Sequence, residues 1–121
     1  MTIITKPWGQ EKILEKNKRY AGKLIIIDNG KSTSRQYHKV KHETLFLLQG
    51  KAIIEFGKPT ELSYRAYKID DKDNYEDRLF IIPPRTTHRL TGLIDCIFME
   101  FSTPELSDIV RIEDDYGRIS E

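Results

Sequence analysis

The chain has 121 residues, which fits one domain with an apolar core and leaves little room for a second. Hydrophobic residues make up 38% and charged residues 32%, a balance that excludes a disordered chain. Its 20 basic and 19 acidic residues nearly cancel, so no global field recruits nucleic acid or an anionic membrane.

In chain order, Met1–Thr5 lacks a basic segment followed by a long apolar stretch. With Cys96 as the only cysteine, this leads us to expect a cytosolic protein without a disulfide. No apolar run nears the ~20 residues of a membrane helix. Strand-length apolar runs are predicted at Lys12–Glu15, Lys23–Asp28, Thr44–Leu48, Ala52–Phe56, Ser63–Ile69, Leu79–Ile82 and Cys96–Phe101. Turn signals separate them, among them Asn29-Gly30, Gln49-Gly50, Gly57-Lys58-Pro59, Pro83-Pro84 and Thr91-Gly92. No stretch keeps helical periodicity for three turns. The pattern predicts an all-β sandwich or barrel with its core at about 9–102 and a polar tail at 103–121. Two hairpins are expected. One turns at Gln49-Gly50. The other joins the strand ending at Ile82 to the strand starting near Cys96, with His88 in the connection. The charged run at 70–78 reads as a solvated loop.

Ligand-type side chains gather in two places. Gln36 and His38 are two apart, which puts them on one face of a strand. A tight turn can return the Glu43 carboxylate to that face, while His42 is turned away. Pro83-Pro84 ends a strand and fixes the chain's exit ahead of His88. Two imidazoles, a carboxylate and an amide oxygen would leave open positions on one octahedral divalent ion. Zinc, iron, manganese, nickel and cobalt all suit such a set.

The spacing Gly30, five residues, Gln36-Tyr37-His38, four residues, Glu43, six residues, Gly50 resembles the first cupin motif, with glutamine in place of its first histidine. Pro83-Pro84-Arg85-Thr86-Thr87-His88 resembles the second, with arginine where glycine is usual. The resemblance implies a single-domain cupin, a double-stranded β-helix or jelly-roll barrel. It also implies Gln36, His38, Glu43 and His88 as the four metal ligands. A closer likeness is to the cupin form of mannose-6-phosphate isomerase. It is carried by Lys6-Pro7-Trp8-Gly9 with Glu11, by Ser34-Arg35-Gln36-Tyr37-His38, by Ile82-Pro83 with His88-Arg89-Leu90, and by the terminal Asp108–Arg118. That family has arginine where this chain has Lys41, and it has His-Trp after the glutamate where this chain has Thr44-Leu45.

This likeness implies an aldose–ketose isomerase acting on a sugar phosphate. Glu100 is expected on the face of Cys96 and Phe98, where a carboxyl inside the barrel would have a raised pKa and act as base. Lys41 is a second catalytic candidate. Arg35, Arg85, Arg89 and Arg111 are candidates for holding the substrate phosphate. Trp8 and Tyr116 read as packing residues. Cupins commonly dimerise by strand exchange, so a homodimer is expected in which Thr2–Trp8 lends a strand. Competing expectations are another metal-cupin enzyme (an oxygenase, lyase or epimerase) and a non-catalytic sugar- or metabolite-binding module.

Overall fold

A computed structural model describes residues 1–61 and 63–118. The last three residues of the expected tail lie outside the described residues. The described residues form eleven strands: β1 (Thr2–Lys6), β2 (Gly9–Lys16), β3 (Ala21–Ile27), β4 (Arg35–Tyr37), β5 (Glu43–Gln49), β6 (Lys51–Gly57), β7 (Arg65–Asp70), β8 (Leu79–Ile82), β9 (Thr87–Gly92), β10 (Cys96–Ser102) and β11 (Val110–Glu113). A 3-10 turn, Tyr75–Arg78, precedes β8. The strands make a six-stranded sheet in the order β1-β2-β3-β10-β5-β8 and a five-stranded sheet in the order β11-β4-β9-β6-β7. Every pairing within them is antiparallel. The all-β expectation is therefore met.

The inward faces meet in one core built on Ile25, Ile27, Leu45, Leu47, Ile54, Ile82 and Phe98, with Trp8 buried among them. Alternation in β3 and β10 sends Ile25, Ile27, Cys96 and Phe98 inward. Burying such side chains stabilises the fold by about 1.5–3 kcal/mol each. The signature glycine after Trp8 has a steric cause. Gly9 has φ 151°, and a Cβ there would lie 2.0 Å from the Ile26 carbonyl oxygen.

Neither expected hairpin forms. The Gln49-Gly50 turn exists, with Gly50 at φ 101° and its N–H donating to Asp71 Oδ2 at 2.8 Å. However, β5 pairs with β10 and β8 while β6 pairs with β7 and β9, so the turn carries the chain from one sheet to the other. Likewise β8 and β10 do not pair but flank β5 on either side. His88 sits on β9, in the opposite sheet, rather than in a connection. In the first case the chain crosses to the other sheet, and in the second β5 lies between the two strands. The hairpins that do form are β1–β2, β2–β3 and β6–β7. In the β2–β3 turn the Asn17 side chain accepts the N–H groups of Arg19 and Tyr20.

The 70–78 run is mostly exposed, with one correction. Arg78 is buried, donating to the Leu47 and Leu48 carbonyls and lying over the Phe46 ring. β1 and β11 extend the sheets past the 9–102 stretch at both ends. β1 is hydrogen-bonded to β2 of its own chain. Among the described residues no helix is long and apolar enough to cross a membrane.

Candidate metal centre

Both sheets contribute to one end of the barrel interior. The five-stranded sheet brings Gln36 on β4 opposite His88 on β9. The six-stranded sheet brings Glu43 at the start of β5 opposite Ser102, and Glu100 on β10 opposite Leu45 and Lys23. The turn between β4 and β5 supplies His38 and Lys41. Asp108 pins that turn, its carboxylate accepting the N–H groups of Lys39, Val40 and Lys41 at 3.2, 2.8 and 3.1 Å. These bonds hold the Asp108 carboxyl below its ordinary range, that from Val40 most of all.

His38, Glu43 and His88 are all buried, and one ligand-type atom from each lies within 4.8 Å of the others. His88 Nε2 is 2.9 Å and His38 Nε2 3.7 Å from the same oxygen, Glu43 Oε1. His88 Nδ1–H donates to the Thr86 carbonyl at 3.0 Å, and His38 Nδ1–H donates to the Asp108 carbonyl. Backbone acceptors on Nδ1 leave each Nε2 as the lone-pair nitrogen. Two nitrogen lone pairs and a carboxylate oxygen then converge, an arrangement that calls for a cation or proton between them. His38 Nε2 is buried without a hydrogen-bond partner, as a ligand atom would be. The group could hold a divalent metal. Gln36 lines the same cavity, and its Oε1 accepts the Ser34 hydroxyl at 2.6 Å. A carbonyl oxygen keeps a second lone pair for another contact.

A chain of alternating charges runs from this group toward the mouth. Lys41 Nζ lies 3.0 Å from Glu43 Oε2 and 3.1 Å from Glu100 Oε2. Lys23 Nζ lies 3.7 Å from Glu100 Oε2 and 3.1 Å from Glu11 Oε1. Burial opposes the Lys41 charge, but Glu100 and Glu43 outweigh it and raise its pKa. Burial likewise opposes the Glu43 charge, but His88, His38 and Lys41 hold that carboxyl well below its usual range. Glu100 behaves differently. Burial, then the Glu43 charge, push it up to about 7 against Lys23 and Lys41. It lies on the face of Cys96 and Phe98, as alternation predicts, and that face is buried, with Glu100 3% exposed.

The cavity has about 530 Å³ of empty space counted to its open mouth. Lys6, Trp8, Arg111 and Arg118 line it as well. Arg118 is bound to Asp114 at 2.8 Å, which holds that carboxyl at about 2. Arg111 Nε is buried without a partner. Burial lowers the Lys6 pKa, with Lys23, Arg111 and Arg118 adding to it against Glu11.

The other three arginines expected to hold substrate do not line this cavity. Arg35 is turned to the outside of the five-stranded sheet, paired with Glu55 at 2.8 Å and stacked on Tyr64. Arg89 is bound to Asp115 at 2.7 Å on the same side. Strand alternation explains both, because Gln36 and His88 face inward and their neighbours must face outward. Arg85 is exposed in the turn before β9, at φ 62°, with its N–H donating to the His38 carbonyl at 2.7 Å. Lys6, Glu11, Lys23 and Arg118 were not foreseen as lining residues. Alternation from Ile25 could have placed Lys23 inward. The others stood inside the terminal signatures without a stated role.

The family model for the mannose-6-phosphate isomerase C-terminal domain matches residues 2–114. The mannose-1-phosphate guanylyltransferase RfbM of Salmonella typhimurium is 24% identical over 119 residues, which covers 94% of this chain and 22% of that protein. The chain thus spans about a fifth of the length of this relative. Among solved structures, the capsular polysaccharide assembling protein CapF of Staphylococcus aureus superposes with a TM-score of 0.79 at 18% identity, covering 93% of this chain and 31% of that one. KdgF from Halomonas sp. superposes with a TM-score of 0.69 at 19% identity, covering 89% and 90%.

Proposed function

The chain belongs to the mannose-6-phosphate isomerase C-terminal family of cupins, and from that premise we propose that it interconverts an aldose and a ketose sugar phosphate, most simply mannose 6-phosphate and fructose 6-phosphate. The observation that carries this reading is the placement of Glu100. It is a buried carboxyl with a pKa of about 7, in the same cavity as the converging His38, Glu43 and His88. An isomerase must move a proton between C1 and C2, and a group half-ionised near neutral pH can both accept and return it. Glu100 Oε2 faces Lys41 and Lys23, which leaves Oε1 to take the proton. Lys41 fixes the Glu100 and Glu43 carboxylates relative to one another. Arg111 and Lys6, at the mouth, would hold the phosphate. A divalent ion held by His38, Glu43 and His88, with Gln36 as a fourth candidate, would polarise the sugar oxygens.

The test is a coupled assay of mannose and fructose 6-phosphate exchange. The purified protein is loaded in turn with zinc, iron, manganese, nickel and cobalt. Exchange that disappears in Glu100→Gln supports the reading, and no exchange with any metal sinks it.

One observation favours a second reading. Of the four arginines expected at the substrate, only Arg111 lines the cavity. Three of the other cations that line it, Lys23, Lys41 and Arg118, are paired with carboxylates, and such a cavity would suit an unphosphorylated sugar or acid, turned over by another metal-cupin reaction or only bound. Tighter calorimetric binding of sugars than of their phosphates would select it.

A further inference from the structure

Asp108 opens the terminal signature, yet it does not line the cavity, although Ile109 beside it does. Its contacts converge instead on the turn between β4 and β5. That turn lies outside both sheets, since β4 ends at Tyr37 and β5 begins at Glu43. Its backbone groups must therefore find partners elsewhere. Asp108 Oδ1 accepts the Lys39 N–H, and Oδ2 accepts those of Val40 and Lys41. Thr103 holds the far end, its Oγ1 accepting the His42 N–H at 3.0 Å and its own N–H donating to the His42 carbonyl at 3.0 Å. The main-chain carbonyl of Asp108 also accepts the His38 Nδ1–H. One residue thus grips the backbone of the turn and the imidazole that the turn presents.

We propose that Asp108 is a positioning residue of the metal centre, aiming His38 Nε2 at Glu43 and His88 from 70 residues away in the chain. The two histidines differ in how they are held. His88 is fixed locally, by the Thr86 carbonyl two residues before it. His38 is 2% exposed, and among the described residues its ring makes one hydrogen bond, to Asp108. Without that acceptor, a half-turn of the ring puts a carbon where Nε2 points, and the other tautomer puts an N–H there. Either removes a lone pair from the ligand set. The turn itself asks less of Asp108. Lys39 and Val40 are exposed, so water can take their N–H groups if the carboxylate is lost. The consequence of losing Asp108 therefore falls on the ring of His38 more than on the fold.

This inference rests on the reading of His38, Glu43 and His88 as a metal centre, and separate measurements test the two. In calorimetric titration of the metal-free chain with zinc, Asp108→Ala is expected to weaken binding roughly tenfold or more, as when the outer partner of a ligand is removed. Asp108→Asn keeps one acceptor oxygen for Val40 and Lys41 and is expected to recover part of the loss. Glu113→Ala, on the same terminal segment but outside the five-stranded sheet, is expected to bind zinc like the wild type. Thermal unfolding of each metal-free variant checks that it folds. Long-range proton–nitrogen NMR of the metal-free chain at alkaline pH is expected to show His38 protonated on Nδ1 in the wild type and as mixed tautomers in Asp108→Ala. A wild type with His38 protonated on Nε2 overturns the proposal, whether or not the variants fold. Zinc affinities of Asp108→Ala and the wild type within about twofold overturn it too and leave the metal centre standing. A wild type that binds no zinc sinks the metal centre and the proposal with it.

Discussion

Replacing Lys41 with methionine removes one ammonium from between two carboxylates while keeping most of the side-chain volume. Lys41, Glu43 and Glu100 have side chains only 2%, 2% and 4% exposed, so water cannot take the place of the lost charge. At the observed 3.0 and 3.1 Å, each pair is worth about 5 kcal/mol at an effective dielectric constant of 20. Desolvation of the ammonium offsets much of that in the native protein. What remains on substitution is the penalty for two buried carboxylates facing one another, about 3–5 kcal/mol when one partner of a buried pair is removed. Glu100 can escape by taking a proton, since it already titrates near 7. The loss is therefore expected to be full at pH 8 and to shrink by about 1 kcal/mol or more at pH 5.5, where Glu100 is neutral and one pair is at stake. Urea unfolding of both proteins at the two pH values measures this. For a domain of this size the pH 8 loss corresponds to a melting-temperature drop of roughly 12–20 °C. Lys41→Arg, which keeps the charge, is expected to recover part of it. A loss below about 1 kcal/mol at pH 8, or equal losses at the two pH values, would refute the reasoning.

Glu100→Gln tests the same network through its pH profile. The folded pKa of about 7 lies above the ordinary carboxylate value, so the neutral form fits the fold better. The stability this contributes is complete below about pH 4.5 and is lost as pH rises through 7. The wild type minus variant difference in urea midpoint should fall across that window, and a flat difference means that Lys23 and Lys41 keep Glu100 ionised throughout. Gly9→Ala places a Cβ 2.0 Å from the Ile26 carbonyl oxygen, a backbone atom, and is expected to cost upwards of ~3 kcal/mol by thermal or urea unfolding. Arg85→Gly relieves a positive φ of 62° at an exposed position and is expected to stabilise the fold by about 1 kcal/mol, seen as a higher melting temperature.

The barrel was legible in the sequence because strand alternation and turn residues are local signals. The runs at Lys23–Asp28, Thr44–Leu48, Ala52–Phe56 and Cys96–Phe101 each became a strand. The short β9 and β11 escaped because their residues are polar: Thr87, His88, Arg89 and Arg111 form strands only because neighbours supply the hydrogen bonds, while the strand expected to carry both Gln36 and His38 ends at Tyr37 and leaves His38 in the turn. Pairing was not legible either. The Gly50 turn says that the chain reverses, not whether it stays in its sheet, and only burial across the sandwich sends β6 to the far side.

The resemblance to the cupin motifs nominated His38, Glu43 and His88, since a motif fixes which residue types recur at which interval. Which cations face that group needed the folded chain. Alternation turns Arg35 and Arg89 outward once Gln36 and His88 are inward. Lys6 and Lys23 come from the N-terminal strands, and Arg111 and Arg118 come in from the far end of the sequence on and beyond β11. The charge on Glu100 is likewise a tertiary property. Its carboxyl is displaced to about 7 by burial and by Glu43, 57 residues away in the chain, and no pattern local to Cys96–Phe101 carries that information.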